Sequence, residues 1–180
     1  HMTRHAHTGL LFSLEMDRVE LGDRLLAAES GIDTYDIESG RLGADRADAV
    51  FKAASNLSQC ALYIDDSSAL QIHILTARAR AAHQRRKLAF VMVDYLQLVR
   101  PARRGHSRES EVAEMSGALK ALAKDLRIPV IALCQFNRDA DDREPRMSDL
   151  RESGAIEQDA DKILALWPVP IEKAKGEEPK

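Results

Sequence analysis

Cysteine is nearly absent: the 180 residues hold two, Cys60 and Cys134, and the second lies inside an apolar run. Two thiols so placed exclude the disulfide framework of a small secreted domain, and a reduced, cytoplasmic setting is expected. Long apolar runs are missing too. No stretch approaches the roughly 20 residues that a membrane-spanning helix needs, so no membrane association is expected. The chain does not open with a charged segment followed by an apolar core, the pattern of a secretory signal. Excess positive charge is also lacking. The 26 basic and 29 acidic residues leave a net charge of −3, which excludes a protein-wide basic field. Any contact with nucleic acid must then be local, or be assembled from several subunits. No internal repeat is visible.

What is present is an ordinary globular composition, 44% hydrophobic and 31% charged, long enough to bury one core. The opening His-Met is a cloning remnant in character. His1, His5 and His7 read as tag or tail rather than as metal ligands. The segment Leu10–Leu14 is too short for a helix and fits a strand buried on both faces. Asp17 is a plausible N-cap for a helix carrying Val19, Leu21, Leu25, Leu26 and Ala28, which Ser30 and Gly31 should stop. A second helix is expected from Ala44 to about Leu57, then a short strand at Leu62–Ile64. A third helix shows Ile72, Leu75, Ala79 and Ala82 on one face and Arg78, Arg80, Arg85 and Arg86 on the other. Leu88–Val93 is the clearest strand. Arg100 to Arg108, with four arginines, reads as a loop. Val112, Met115, Leu119, Leu122 and Leu126 mark an amphipathic helix with Pro129 just beyond it. Val130–Cys134 is expected to be another buried strand, 138–145 a charged loop, and Ile163–Leu166 the last strand.

Strands alternating with amphipathic helices predict an α/β fold with a mainly parallel sheet covered on both faces. In such sheets ligands bind beyond the carboxyl ends of the strands. Four strand candidates end in polar residues there: Glu15, Asp65, Asp94 and Gln135. Phe90-Val-Met-Val-Asp94 fits a Walker B pattern, in which a buried strand holds a carboxylate that binds Mg²⁺ through water. Glu15 can polarise a water attacking a γ-phosphate, or, with Asp17, can simply complement the dipole of the following helix. Gln135 can sense that phosphate, or line a loop. Asp65 and Asp66 most simply end their strand and cap the helix near Leu70. These are the walls of a nucleotide-hydrolysing site, yet no G-x-x-x-x-G-K-S/T phosphate loop occurs in the chain.

Six segments occur in order: Leu11-Phe-Ser-Leu-Glu-Met16, Tyr63-Ile-Asp-Asp-Ser67, Val93-Asp-Tyr-Leu-Gln-Leu98, Leu119-Lys-Ala-Leu-Ala-Lys124, Ala132-Leu-Cys-Gln-Phe-Asn-Arg138 and the series Asp149 to Asp161 that opens Asp-Leu-Arg-Glu-Ser-Gly. From about Leu10 to Trp167 the chain resembles the C-terminal RecA-like motor domain of bacterial hexameric replicative DNA helicases, the DnaB type. The resemblance implies a RecA-like sheet lacking the Walker A strand and helix. It divides the chain into 1–8, a tag remnant or disordered N-terminus; 9–167, a partial motor domain; and 168–180, a charged flexible tail. It implies ATP and Mg²⁺ as ligands, with Glu15 as the catalytic glutamate, Asp94 as the Walker B carboxylate and Gln135 as a sensor of nucleotide state. Arg151, Glu152 and Gly154 would follow the backbone of single-stranded DNA. The family implies a homo-hexameric ring, with primase and a helicase loader as further partners.

Without a phosphate loop, the chain alone is expected to be inactive in ATP hydrolysis. It reads either as part of a helicase motor or as a non-catalytic helicase-like module that binds DNA or protein. In RecA-like sheets the phosphate-loop strand lies between the Gln135 strand and the last strand. Its absence should leave a loosened strand near Ile163 or an edge that invites self-association.

Overall fold

The computed structural model describes residues 7–103, 107–136, 144–149 and 154–167. Its sheet has four strands in the order β2-β1-β3-β4, with β1 at Gly9–Ser13, β2 at Leu62–Asp65, β3 at Phe90–Asp94 and β4 at Val130–Ala132. Every neighbouring pair is parallel, so all four carboxyl ends lie along one edge. The two continuous apolar runs, β1 and β3, take the central places, where both faces of a strand are covered.

Side chains alternate across the sheet. On one face Leu10, Phe12, Val91 and Val93 pack with helices α4 (Ile72–Arg86) and α5 (Arg108–Leu126) into a single core. Leu75, Met115 and Leu122 are fully enclosed there. Leu11, Ser13 and Phe90 are buried on the opposite face. Helices α1 (Arg18–Ser30), α2 (Thr34–Ser39) and α3 (Ala44–Ser58) form a separate group, α1 touching both others. A short α6 (Gly154–Asp159) lies against α5. None of the described helices is long and apolar enough to cross a membrane.

Local chemistry sets the helix ends. Asp17 accepts hydrogen bonds from the Val19 and Glu20 N–H groups, at 2.8 and 2.9 Å, and starts α1 as its spacing predicts. Gly31 ends that helix at φ 72°, a left-handed conformation that costs glycine little. The unanticipated α2 has no apolar stripe. It is made by its caps, with Asp33 accepting from the Tyr35 N–H at 2.8 Å and Gly40 closing it at φ 66°.

Two strand expectations are corrected at the β4 side. The run Val130–Cys134 gives a strand only over Val130–Ala132, and it is an edge, with Ile131 and Leu133 each 40% exposed. Ile163–Leu166 forms no strand, and Leu164 and Leu166 are 91% and 90% exposed. Apolar composition does not make a strand unless a neighbour takes up its backbone N–H and C=O groups. Among the described residues, no strand lies beyond β4 to serve Ile163–Leu166.

Candidate nucleotide-binding edge

Register brings the predicted residues to one edge. Ser13 of β1 pairs with Asp94 of β3, and Val93 of β3 pairs with Ala132 of β4. Three hydrogen bonds then lace the strand exits together. The Leu14 N–H donates to the Asp94 carbonyl at 2.8 Å, the Leu96 N–H to the Leu133 carbonyl at 2.9 Å, and Gln97 Nε2 to the Gln135 carbonyl at 3.2 Å. The β1 exit is bent by Ser13, whose hydroxyl donates to the Met16 carbonyl at 2.7 Å. Glu15 lies inside that turn, exposed to solvent. Asp94 ends β3 half-buried, and Gln135 is exposed three residues past β4. The Asp94–Tyr95 peptide is cis.

The four strand-end acids divide into two kinds. Asp65 binds Arg78 at 2.8 Å and accepts from the Ser67 N–H at 3.1 Å. Burial alone would raise its carboxyl; the hydrogen bonds from Arg78 and Ser67 outweigh this and hold it below the usual carboxylate range. Asp66 accepts from the Arg18 side chain at 2.9 and 3.1 Å and from the Arg18 N–H at 3.1 Å, and those bonds lower it likewise. These two aspartates therefore join β2 to α4 and α1. They do not cap the helix near Leu70, which begins at Ile72 with Gln71 as its N-cap and no side-chain bond there. Their carboxylates bond instead to Arg78 and Ser67, and to Arg18 at the start of α1. Glu15 and Asp94, by contrast, have no side-chain partner among the described residues. The helix-cap task that Glu15 might have shared falls to Asp17 alone.

Gln97 went unassigned in the sequence, although it stands in the Asp94-Tyr-Leu-Gln97 segment. Its Nε2 ties the two strand exits, its carbonyl accepts from Arg108 Nη2 at 3.0 Å, and its Oε1 is buried without a partner. A glutamine in a short 3₁₀ turn, Leu96–Leu98, carries no periodic signal that could have marked it. Beside the strand exits lie two cavities. One of about 380 Å³ is lined by Leu14, Gln97, Arg100 and Arg108, among others; one of about 590 Å³ lies near Gln71, Arg100 and Glu111. Neither includes Glu15, Asp94 or Gln135 in its wall.

The donor set suits a hydrated Mg²⁺ rather than a stripped metal. Among the described residues no three His, Cys, Asp or Glu side chains converge as a metal site. A single open carboxylate at Asp94 matches an ion that keeps several waters and takes other ligands from phosphate. The predicted DNA residues Arg151 and Glu152 lie outside the described residues. Gly154 is the exposed first residue of α6, and a Cβ built on it would meet nothing within 4 Å.

The family model for the DnaB-like helicase C terminal domain matches residues 1–178. The chain belongs to this family. It is 44% identical over 166 residues to the replicative DNA helicase DnaB of Mycobacterium leprae, covering 91% of this chain and 28% of that protein. With the DnaB of Rickettsia felis (strain ATCC VR-1525 / URRWXCal2) the identity is 42% over 159 residues, 87% of this chain and 32% of the relative. Among solved structures it is similar to the ATPase domain of G40P, at 31% identity and a TM-score of 0.83, covering 88% of this chain and 58% of that one. A DnaB-like replicative helicase studied in its interactions with primase matches at 32% identity and a TM-score of 0.83, covering 89% and 41%. The sheet is thus the RecA-like arrangement of DnaB-like helicases. The chain spans less than a third of the length of these two curated relatives, and is a partial motor domain.

Proposed function

We propose that this chain supplies the water-activating and Mg²⁺-holding edge of an ATP-driven replicative DNA helicase motor, and that it does not hydrolyse ATP alone. One observation carries the reading: three adjacent parallel strands end side by side, with Asp94 at the end of β3 and Glu15 and Gln135 just past the ends of β1 and β4, both acids left open while Asp65 and Asp66 are neutralised by arginines. Bound Mg²⁺ would neutralise charge between the β- and γ-phosphates. Asp94 would hold that ion through water, Glu15 would orient and polarise the attacking water, and Gln135 would hydrogen-bond the γ-phosphate and relay its loss. Residues 9–167 act as the motor portion, flanked by a tag-like 1–8 and a charged tail at 168–180. Arg151, Glu152 and Gly154 contact single-stranded DNA through a charge-assisted bond and a close backbone approach. The working assembly is a cytoplasmic homo-hexameric ring that meets primase and a loader.

The test supplies what the sequence lacks. The chain as it stands should show no saturable binding of a fluorescent ATP analogue with Mg²⁺ below roughly millimolar, since phosphate-loop contacts are missing. Fusing a relative's phosphate-loop βα unit ahead of Thr8 should bring both binding and turnover. Glu15→Gln in that fusion should then lower turnover by at least about a hundredfold with binding kept. A fusion that hydrolyses ATP equally well with Gln at position 15 would refute the assignment. One that binds nucleotide and never turns over would favour the non-catalytic module.

A further inference from the structure

The turn after β3 is held from three sides. The Leu96 N–H donates to the Leu133 carbonyl past β4, the Arg100 N–H donates to the Leu70 carbonyl ahead of α4, and Arg108 at the start of α5 donates to the Gln97 carbonyl. Two bonds of 3.0 Å, from the Leu98 N–H to the Tyr95 carbonyl and from the Val99 N–H to the Leu96 carbonyl, close the turn on itself. Gln97 therefore stands on a fixed base, and its side chain, not its backbone, reaches the Gln135 peptide.

Glutamine is a costly residue at that place. It sits between Leu96 and Leu98, and its Oε1 is buried without a partner among the described residues. Turning the amide over would not help, because the Gln135 carbonyl can only accept and Nε2 must face it. A buried unpaired acceptor lowers stability. Methionine has nearly the same length and shape with no polar atom to strand, so packing alone would be served better by it. What glutamine adds is a neutral donor aimed at the peptide that carries the Gln135 side chain.

We propose that Gln97 is a positioning residue of the nucleotide edge. It touches no ligand; it holds the Gln135 peptide against the fixed turn and so sets the direction in which the Gln135 amide leaves the sheet. Arg108, which also pairs with Glu111 at 3.2 Å, ties that turn to α5. The proposal rests on the reading of Gln135 as the γ-phosphate sensor.

In the 180-residue chain, Gln97→Met should leave the thermal unfolding midpoint unchanged or higher, since it removes the unpaired oxygen along with the donor. Nuclear spin relaxation of the backbone ¹⁵N should show lower order at Gln135 and unchanged order over Val130–Ala132. Gln97→Glu separates the bond from the packing: a protonated carboxyl donates to the Gln135 carbonyl and an ionised one cannot. Order at Gln135 should then return as pH falls through the titration of that carboxyl. In the phosphate-loop fusion, Gln97→Met should lower kcat roughly fivefold, the worth of one neutral hydrogen bond, with KM for ATP unchanged. In a Gln135→Ala background the same substitution should bring no further loss. Order at Gln135 that ignores Gln97→Met would overturn the proposal, as would an equal loss of kcat in both backgrounds. Turnover that ignores Gln135→Ala would instead refute the sensor reading, which the relaxation measurement does not assume.

Discussion

Gly9 is the place where a single methyl group should be felt most. It opens β1 opposite Phe90, the first residue of β3, so this pair begins the register that ends at Ser13 and Asp94. The Phe90 ring lies across the glycine. A Cβ added at position 9 would sit 2.3 Å from Cζ, 2.7 Å from Cε1 and 2.9 Å from Cε2 of that ring, far inside the roughly 3.5–4.0 Å of normal carbon contact. The ring is buried, at 8% exposure, and must leave its place. Overpacking of this kind costs about 1–3 kcal/mol. With a urea m-value of about 1–3 kcal/mol/M, Gly9→Ala should lower the unfolding midpoint by roughly 1 M. All three clashing atoms are absent from leucine. In a Phe90→Leu background the same substitution should therefore cost much less, giving a coupling of about 1–2 kcal/mol in the double-mutant cycle. Urea unfolding followed by far-UV circular dichroism reads both values. An unchanged midpoint for Gly9→Ala, or an equal cost in both backgrounds, would refute the close packing of Phe90 over Gly9.

Two further outcomes follow from the charged groups. Asp65 is held below the usual carboxylate range in the folded chain. A depressed pKa adds stability above the unfolded value, 3.8, and that stability is lost as pH falls through the folded value. Arg78→Ala should thus destabilise at neutral pH by less than about 1 kcal/mol, since the pair is solvent-screened. The gap from wild type should close as thermal unfolding is followed from pH 7 to below pH 3.8; a gap that widens would reverse the sign assigned here. For DNA, Arg151→Ala should weaken salt-sensitive binding of single-stranded oligonucleotides and flatten its salt slope by about one. An unchanged slope would remove Arg151 from the interface.

The legible part of this chain was the part whose chemistry is local and repeated. β1 and β3 are continuous apolar runs, and they proved to be the two central strands. α1 carries its Asp17 cap and Gly31 stop in plain view. α2 has such caps too, in Asp33 and Gly40, but six residues without an apolar stripe give no periodicity to read. The strand at Ile163–Leu166 was misread because an apolar pattern reports what a segment can bury, not whether a neighbour is there to pair with it. β4 was misjudged for the same reason, being buried only if something lies beyond it. At the site, acids at strand ends were legible as a set. What separated Glu15 and Asp94 from Asp65 and Asp66 was the reach of Arg18 and Arg78 from other helices, a tertiary fact. Gln97 escaped because its role consists of bonds to residues distant in sequence.

The proposed function depends on the closeness of Glu15, Asp94 and Gln135 beyond the ends of β1, β3 and β4. With Cys60 and Cys134 replaced by serine, nitroxide labels at positions 15 and 135 would measure it by electron spin resonance. β1 and β4 are separated only by β3, so the labelled backbones should lie roughly 10 Å apart, two interstrand spacings. Strong dipolar broadening from one narrow distance population is expected. A spectrum without broadening, placing the labels more than roughly 25 Å apart, or five such spacings, would contradict it.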